Sequence, residues 1–203
     1  MPAGKRLDLY TVHKTEYVTP REPVLVKVGA AKYLAIEGQG APGGKEFQAK
    51  IGALYNVTFT IKMARKFADQ DYTVCKLEGL WWAAEERKEF MKLPKEQWRW
   101  KLMIRTPEFI AAKELQAAIT KLREKGKPAE VSSVKLENLK EGVCVQILHL
   151  GPYEAEPATI AKMKEFAGAK GLSFHGLHHE IYFSDPRRMA PAKLRTILRN
   201  PVR

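Results

Sequence analysis

The feature that most constrains this chain is an order of elements that occurs twice: strand-like residues, a glycine-bearing loop, a helical stretch, and a returning strand. The reading is an α+β fold of two pseudo-twofold-related hairpin–helix–strand units, with a small-molecule cleft between them.

In the first copy Val24, Val26 and Val28 alternate with Leu25 and Lys27. The pattern breaks at Gly29-Ala30-Ala31 and resumes at Tyr33-Leu34-Ala35-Ile36, which predicts a hairpin. Gly38, Gly40, Gly43 and Gly44 mark a loop. Phe47, Ile51, Leu54, Tyr55 and Thr58 then recur at helical spacing. Tyr72 to Trp82 reads as a strand, Glu85 to Lys95 as a charged connection, and Gln97 to Arg105 as a second strand. In that strand Trp98, Trp100, Leu102 and Ile104 face one way and Arg99, Lys101 and Arg105 the other, so half burial is expected. Thr106 is placed to cap a helix that begins at Pro107, carries Ala111, Leu115, Ala118 and Leu122, and ends at Gly126 and Pro128.

The second copy opens with Val131, Val134 and Leu136, turns near Lys140-Glu141-Gly142, and continues as Val143 to Leu148, a second predicted hairpin. Gly151-Pro152 leads into a helix with Ile160, Met163, Phe166 and Ala167 on one face, closed by Gly171. A strand from Ser173 to Ser184 follows, and Ala190 to Leu198 reads as a short C-terminal helix stopped by Asn200-Pro201. The expected organisation is one domain over 1–203. Within it lie an irregular arm (1–23), a first repeat (24–105), a connecting helix (106–128), a second repeat (129–190) and a basic C-terminal segment (191–203).

Composition limits the partners. The 203 residues are 45% hydrophobic, enough for a sizeable core, and carry a formal charge of +12. Arg187, Arg188, Lys193, Arg195, Arg199 and Arg203 follow Asp185 with no further acid, the strongest case for a nucleic-acid surface. No helix-turn-helix, zinc-finger or ribonucleoprotein signature accompanies them, so direct nucleic-acid recognition is not expected. No segment approaches the roughly 20 apolar residues of a membrane span, and no membrane partner is expected. Cys75 and Cys144 sit among apolar residues as thiols of a reducing compartment. The expected location is cytoplasmic.

The returning strands carry the chemistry. Side chains alternate along a strand, so Glu78, Leu80 and Trp82 share one face, and His178, Glu180, Tyr182 and Ser184 share another. Two carboxylates meeting in a cleft walled by tryptophan and tyrosine suit a flat or cationic ligand, because aromatic faces attract cations and a desolvated carboxylate demands a counter-charge or a proton. The plainer alternatives are that Glu78 lies on a solvated sheet face and that Trp81-Trp82 is core. His178-His179-Glu180 has the residue types of a metal site, but strand neighbours diverge and no second His, Cys or Asp cluster completes it, so no metal and no cofactor are expected. The Gly38 to Gly44 loop lacks the signature of a phosphate cradle.

The runs Tyr33 to Gly40, Ile51-Gly52-Ala53-Leu54-Tyr55, Leu77-Glu78-Gly79-Leu80-Trp81-Trp82, Leu150-Gly151-Pro152-Tyr153 and His178 to Arg188 together resemble the GyrI-like small-molecule-binding domains shared by gyrase-inhibitory proteins and drug-sensing activators. The resemblance spans nearly the whole chain. It implies paired βαββ-type units forming a concave antiparallel sheet with helices packed on it, and a glutamate at Glu180 that contacts cationic ligands. It is closest to the stand-alone branch, since no DNA-binding module fits before Val24. Some members of that branch are hydrolases that open the cyclopropane of DNA-alkylating natural products. Carried over, Glu180 is a base assisted by Tyr153 or Tyr182, while Trp82 and Tyr55 stack on substrate and Glu78 and His178 complete the ligand-binding set. Three functions follow: sequestration of aromatic or cationic compounds, hydrolysis of cyclopropanoids, and a protein-interaction role such as gyrase protection.

Overall fold

A computed structural model describes residues 6–83 and 90–203. The charged connection expected over Glu85 to Lys95 lies partly outside the described residues, as does the start of the N-terminal arm. The described elements are α1 (Leu9–Val12), β1 (Val24–Gln39), α2 (Lys45–Phe67), β2 (Leu77–Ala83), β3 (Trp98–Thr106), α3 (Ala112–Glu124), β4 (Lys135–Leu150), α4 (Glu156–Gly168), β5 (His178–Tyr182) and β6 (Arg195–Pro201). The fold class is α+β with antiparallel ladders. The chain order strand, helix, strand, strand occurs twice, as β1-α2-β2-β3 and β4-α4-β5-β6.

The expected hairpins are corrected to single strands. β1 runs unbroken for 16 residues through Gly29, and β4 for 16 residues through Gly142. Gly142 has φ +77, a conformation that glycine adopts without steric cost, and it lies inside β4 instead of ending it.

The chain forms two compact units. The first comprises Ala31–Cys75, Trp81–Leu139 and the described part of Met1–Val12; the second comprises His13–Ala30, Lys76–Leu80 and Lys140–Arg203. The expected arm thus contributes α1 to the first unit, and in the second it buries Glu16 and Tyr17.

In the first unit β1 pairs with β3, setting Leu34 opposite Ile104, Ile36 opposite Leu102 and Gly38 opposite Trp100. Trp100 is fully buried and donates its indole N–H to the Gly40 carbonyl at 3.1 Å. Its ring lies over the Gly38 backbone, where an added Cβ would meet Cη2 at 2.1 Å, so only glycine fits. Phe47 meets the same indole edge-on at 5.0 Å and stacks on Trp81 at 5.9 Å, and Trp81 continues the aromatic core to Phe90 and Trp98. β3 is not half-buried throughout: from Leu102 to Thr106 both faces are covered, Arg105 included.

α2 buries Phe47, Leu54, Val57 and Ile61, while the buried Thr58 hydroxyl donates back to the Leu54 carbonyl at 2.8 Å. α3 packs on α2 through Ala118 and Leu122 and an Arg65–Glu114 ion pair at 2.8 Å. It starts later than the expected Thr106 cap, because Thr106 ends β3 and the Glu114 carboxylate instead accepts the Ala111 N–H at 2.8 Å.

In the second unit β6 lies between β4 and β5, with Leu198 opposite Ile147 on one side and opposite Glu180 on the other. The expected C-terminal helix is therefore corrected to a strand. Thr196 through Pro201 are all buried, so Ile197 and Leu198 both meet covered faces, and with Leu194 their spacing imitates a helix. The basic segment is also not one surface: Arg199 is 1% exposed. The strands expected over Tyr72 to Trp82 and Ser173 to Ser184 shorten to β2 and β5.

Candidate functional site

β5 is five residues long and carries two different chemical clusters, because alternate side chains leave it in opposite directions. On one side the His179 imidazole bridges two acids, with Nε2 at 2.9 Å from Glu78 Oε2 and Nδ1 at 3.0 Å from Glu141 Oε1. Arg199, opposite His179 in the β5–β6 ladder, donates to Glu141 Oε2 at 2.9 Å and to Gln146 Oε1 at 2.8 Å. The Tyr17 hydroxyl donates to Glu78 Oε1 at 3.2 Å. Burial alone would depress His179, but the Glu141 and Glu78 carboxylates outweigh it and push its pKa up to about 9. Burial likewise opposes ionisation of Glu141, yet His179 and Arg199 hold it down to about 2. Two acids and two bases in close contact make a neutral, hydrogen-bonded core network. Glu78 belongs to it and is fully buried, so it does not lie on the solvated sheet face of the plainer alternative.

On the other side His178, Glu180 and Tyr182 follow each other along β5. α4 brings Glu156 to them, and the turn before it brings Tyr153. That turn is shaped by Gly151 at φ +131 and pinned by His149, whose ring nitrogens lie 2.8 Å from Thr159 Oγ1 and 3.1 Å from the Pro152 carbonyl. Glu156, His178 and Glu180 are all buried, and one ligand atom from each lies within 4.8 Å of the others. His178 Nε2 is 3.4 Å from Glu180 Oε1, and its Nδ1 is 2.8 Å from Asn200 Oδ1. The Tyr153 and Tyr182 rings meet edge-on at 6.0 Å.

Electrostatically this is a crowded acid pair. Burial, the Glu180 charge and a hydrogen bond to Glu180 push Glu156 up to about 10, so at neutral pH it keeps its proton. Burial and the same two acids push Tyr153 up to about 12, keeping its phenol a hydrogen-bond donor. Such a pair can accept a cation, exchange a proton, or polarise water. The sequence-derived residues therefore divide. His178, Glu180, Tyr153 and Tyr182 come together, and Glu78 joins the His179 network. Tyr55 and Trp82 belong to the first unit, where Tyr55 stacks on Phe59 at 6.0 Å and lines a cavity of about 370 Å³ with Met63 and Lys121. Glu156 and Asn200 are the members that sequence reasoning missed. A glutamate in a first helical turn ordinarily faces water and complements the dipole, and nothing in its spacing marks this one as buried.

The arrangement defines a class, an α+β domain with a buried acidic and aromatic cluster. The chain belongs to the GyrI-like family, whose model, described as a GyrI-like small molecule binding domain, matches residues 21–203. An uncharacterized conserved protein from Listeria innocua is 35% identical with TM-score 0.90, covering 98% of this chain and all of its own. A hydrolase encoded by lin2189 from the same organism is 34% identical with TM-score 0.89 and the same coverage. The EcmrR C-terminal domain, 10% identical with TM-score 0.57 over 90% of this chain and 97% of its own, shares the fold alone. No match is found among curated proteins.

Proposed function

We propose that this protein binds flat aromatic or cationic small molecules at the Glu156–Glu180 pair, with Tyr153, Tyr182 and His178 completing the site, and that it sequesters such compounds in the cytoplasm. The observation that carries the reading is geometric: Glu156 and Glu180 are both buried, and one ligand atom of each lies within 4.8 Å of the other and of His178. An organic cation supplies the missing counter-charge, and phenol rings supply the face on which it rests. All five residues belong to the second unit. It is tested by titrating the protein with a planar lipophilic dye cation and following fluorescence anisotropy. Saturable binding weakened about 10-fold or more by Glu180→Gln supports it, and unaltered affinity in that variant refutes it.

A second reading is favoured by near-full-length relatives described as hydrolases at 33% and 34% identity. Water would add across a strained cyclopropane conjugated to a carbonyl. The water oxygen bonds to a ring carbon, the ring C–C bond breaks, and its electron pair moves to the carbonyl oxygen. Glu180 is suited to take the proton from water and Glu156 to give one to that oxygen, with Tyr153 donating a hydrogen bond to it. A water-added product released over many turnovers, and lost in Glu180→Gln, identifies the hydrolase. Binding without product leaves sequestration.

A further inference from the structure

We infer that Glu156, His178 and Glu180 form a three-ligand site for a divalent transition-metal ion such as Zn²⁺. This reverses the expectation of no metal, which rested on strand neighbours diverging and on the lack of a second donor cluster. His178 and Glu180 are two residues apart and share a face, and α4 supplies the third donor from outside the strand.

Three observations bear on the occupant. One nitrogen and two carboxylate oxygens already stand within 4.8 Å of one another, all on buried side chains. Ligands at about 2.0–2.2 Å from a Zn²⁺ ion lie about 3.3 Å apart, close to the 3.4 Å between His178 Nε2 and Glu180 Oε1. The His178 ring is oriented from behind, since an amide oxygen only accepts and Asn200 Oδ1 at 2.8 Å therefore fixes the proton on Nδ1. Nε2 then presents its lone pair toward the carboxylates, the arrangement by which metal-binding histidines are held. Finally, Glu156 is 2% exposed and its Oε1 accepts no hydrogen bond among the described residues, a costly state that a cation would relieve.

One imidazole with two carboxylates suits a borderline ion, which displaces the Glu156 proton on binding so that two carboxylates match its charge. The inference does not depend on the organic-ligand reading, because metal affinity is measured with no dye or cyclopropanoid present.

The test uses full-length protein stripped with chelator and titrated with zinc chloride by calorimetry and with Co²⁺ by visible absorption. The expected result is one ion per chain with a dissociation constant of about 10 μM or tighter. Glu156→Gln and His178→Gln should each weaken it about 100-fold, and Asn200→Ala, which touches no ion, about 10-fold through ring orientation. Lys121→Ala, in the first unit, should change nothing, and circular dichroism verifies that each variant is folded. Binding absent up to about 1 mM, or undiminished in folded Glu156→Gln, overturns the site.

Discussion

His178 and His179 are neighbours in sequence and serve opposite sides of one strand: the first faces Asn200 and Glu180, the second is clamped between Glu78 and Glu141. The pair separates a cluster with an excess of acid from one in which charge is balanced. Each cluster has its own dependence on pH.

The balanced cluster should hold the second unit together. The folded pKa of His179, about 9, lies above its ordinary 6.5, so its contribution is complete below 6.5 and is lost as pH rises through 9. Glu141, at about 2 against 4.5, contributes fully above 4.5 and loses that contribution as pH falls through 2. This network is therefore at full strength between 4.5 and 6.5. Replacing His179 by Leu leaves buried acid unbalanced and should cost about 3–5 kcal/mol in urea unfolding at pH 6. A loss below about 0.5 kcal/mol would show that the network does not bear on stability.

The acidic cluster should do the reverse. Glu156 keeps its proton to about pH 10 in the fold against 4.5 ordinarily, so its contribution is complete below 4.5 and erodes as pH climbs toward 10. Glu156→Gln, which has nothing to ionise, should melt about 2–8 °C higher than wild type at pH 8 in chelator-containing buffer. The difference should close by pH 4. Equal melting temperatures at both pH values would mean that the acid pair is not crowded.

Gly38 is constrained by packing rather than by backbone angle. Gly38→Ala brings a Cβ onto the Trp100 ring and should cost about 3 kcal/mol, with most of the loss recovered when Trp100→Leu is combined with it. A double-mutant cycle by urea unfolding reads the coupling directly, and additive losses would place the clash elsewhere.

Helices were the most legible part of the sequence. The apolar spacing from Phe47 to Thr58 and from Ile160 to Ala167 lies within α2 and α4, whose inner faces meet the core. Strand ends and strand identity were less legible, because glycine has two meanings. Gly29 and Gly142 lie inside continuous strands, whereas Gly126 and Gly171 follow helices at positive φ. β6 read as a helix because burial on both faces removes the alternation that identifies a strand. At the site, Glu180, His178, Tyr153 and Tyr182 were legible from strand alternation and family resemblance. Glu156 was not, since its burial is made by the Gly151-Pro152 turn and by packing of α4, neither of which leaves a periodic trace. Arg199 was read as part of a basic surface for the same reason: charge is visible in sequence, and the acid that neutralises it from β4 is not.

The unlike faces of β5 also fix how it can be threaded. A slip by a single residue along β6 would turn His179 toward Glu156 and drive Glu180 into the space that Glu78 and Glu141 already fill. Apolar side chains forgive such an error more readily than these do. So short a strand has few backbone bonds with which to choose its alignment, and its charges act as the key that admits only one.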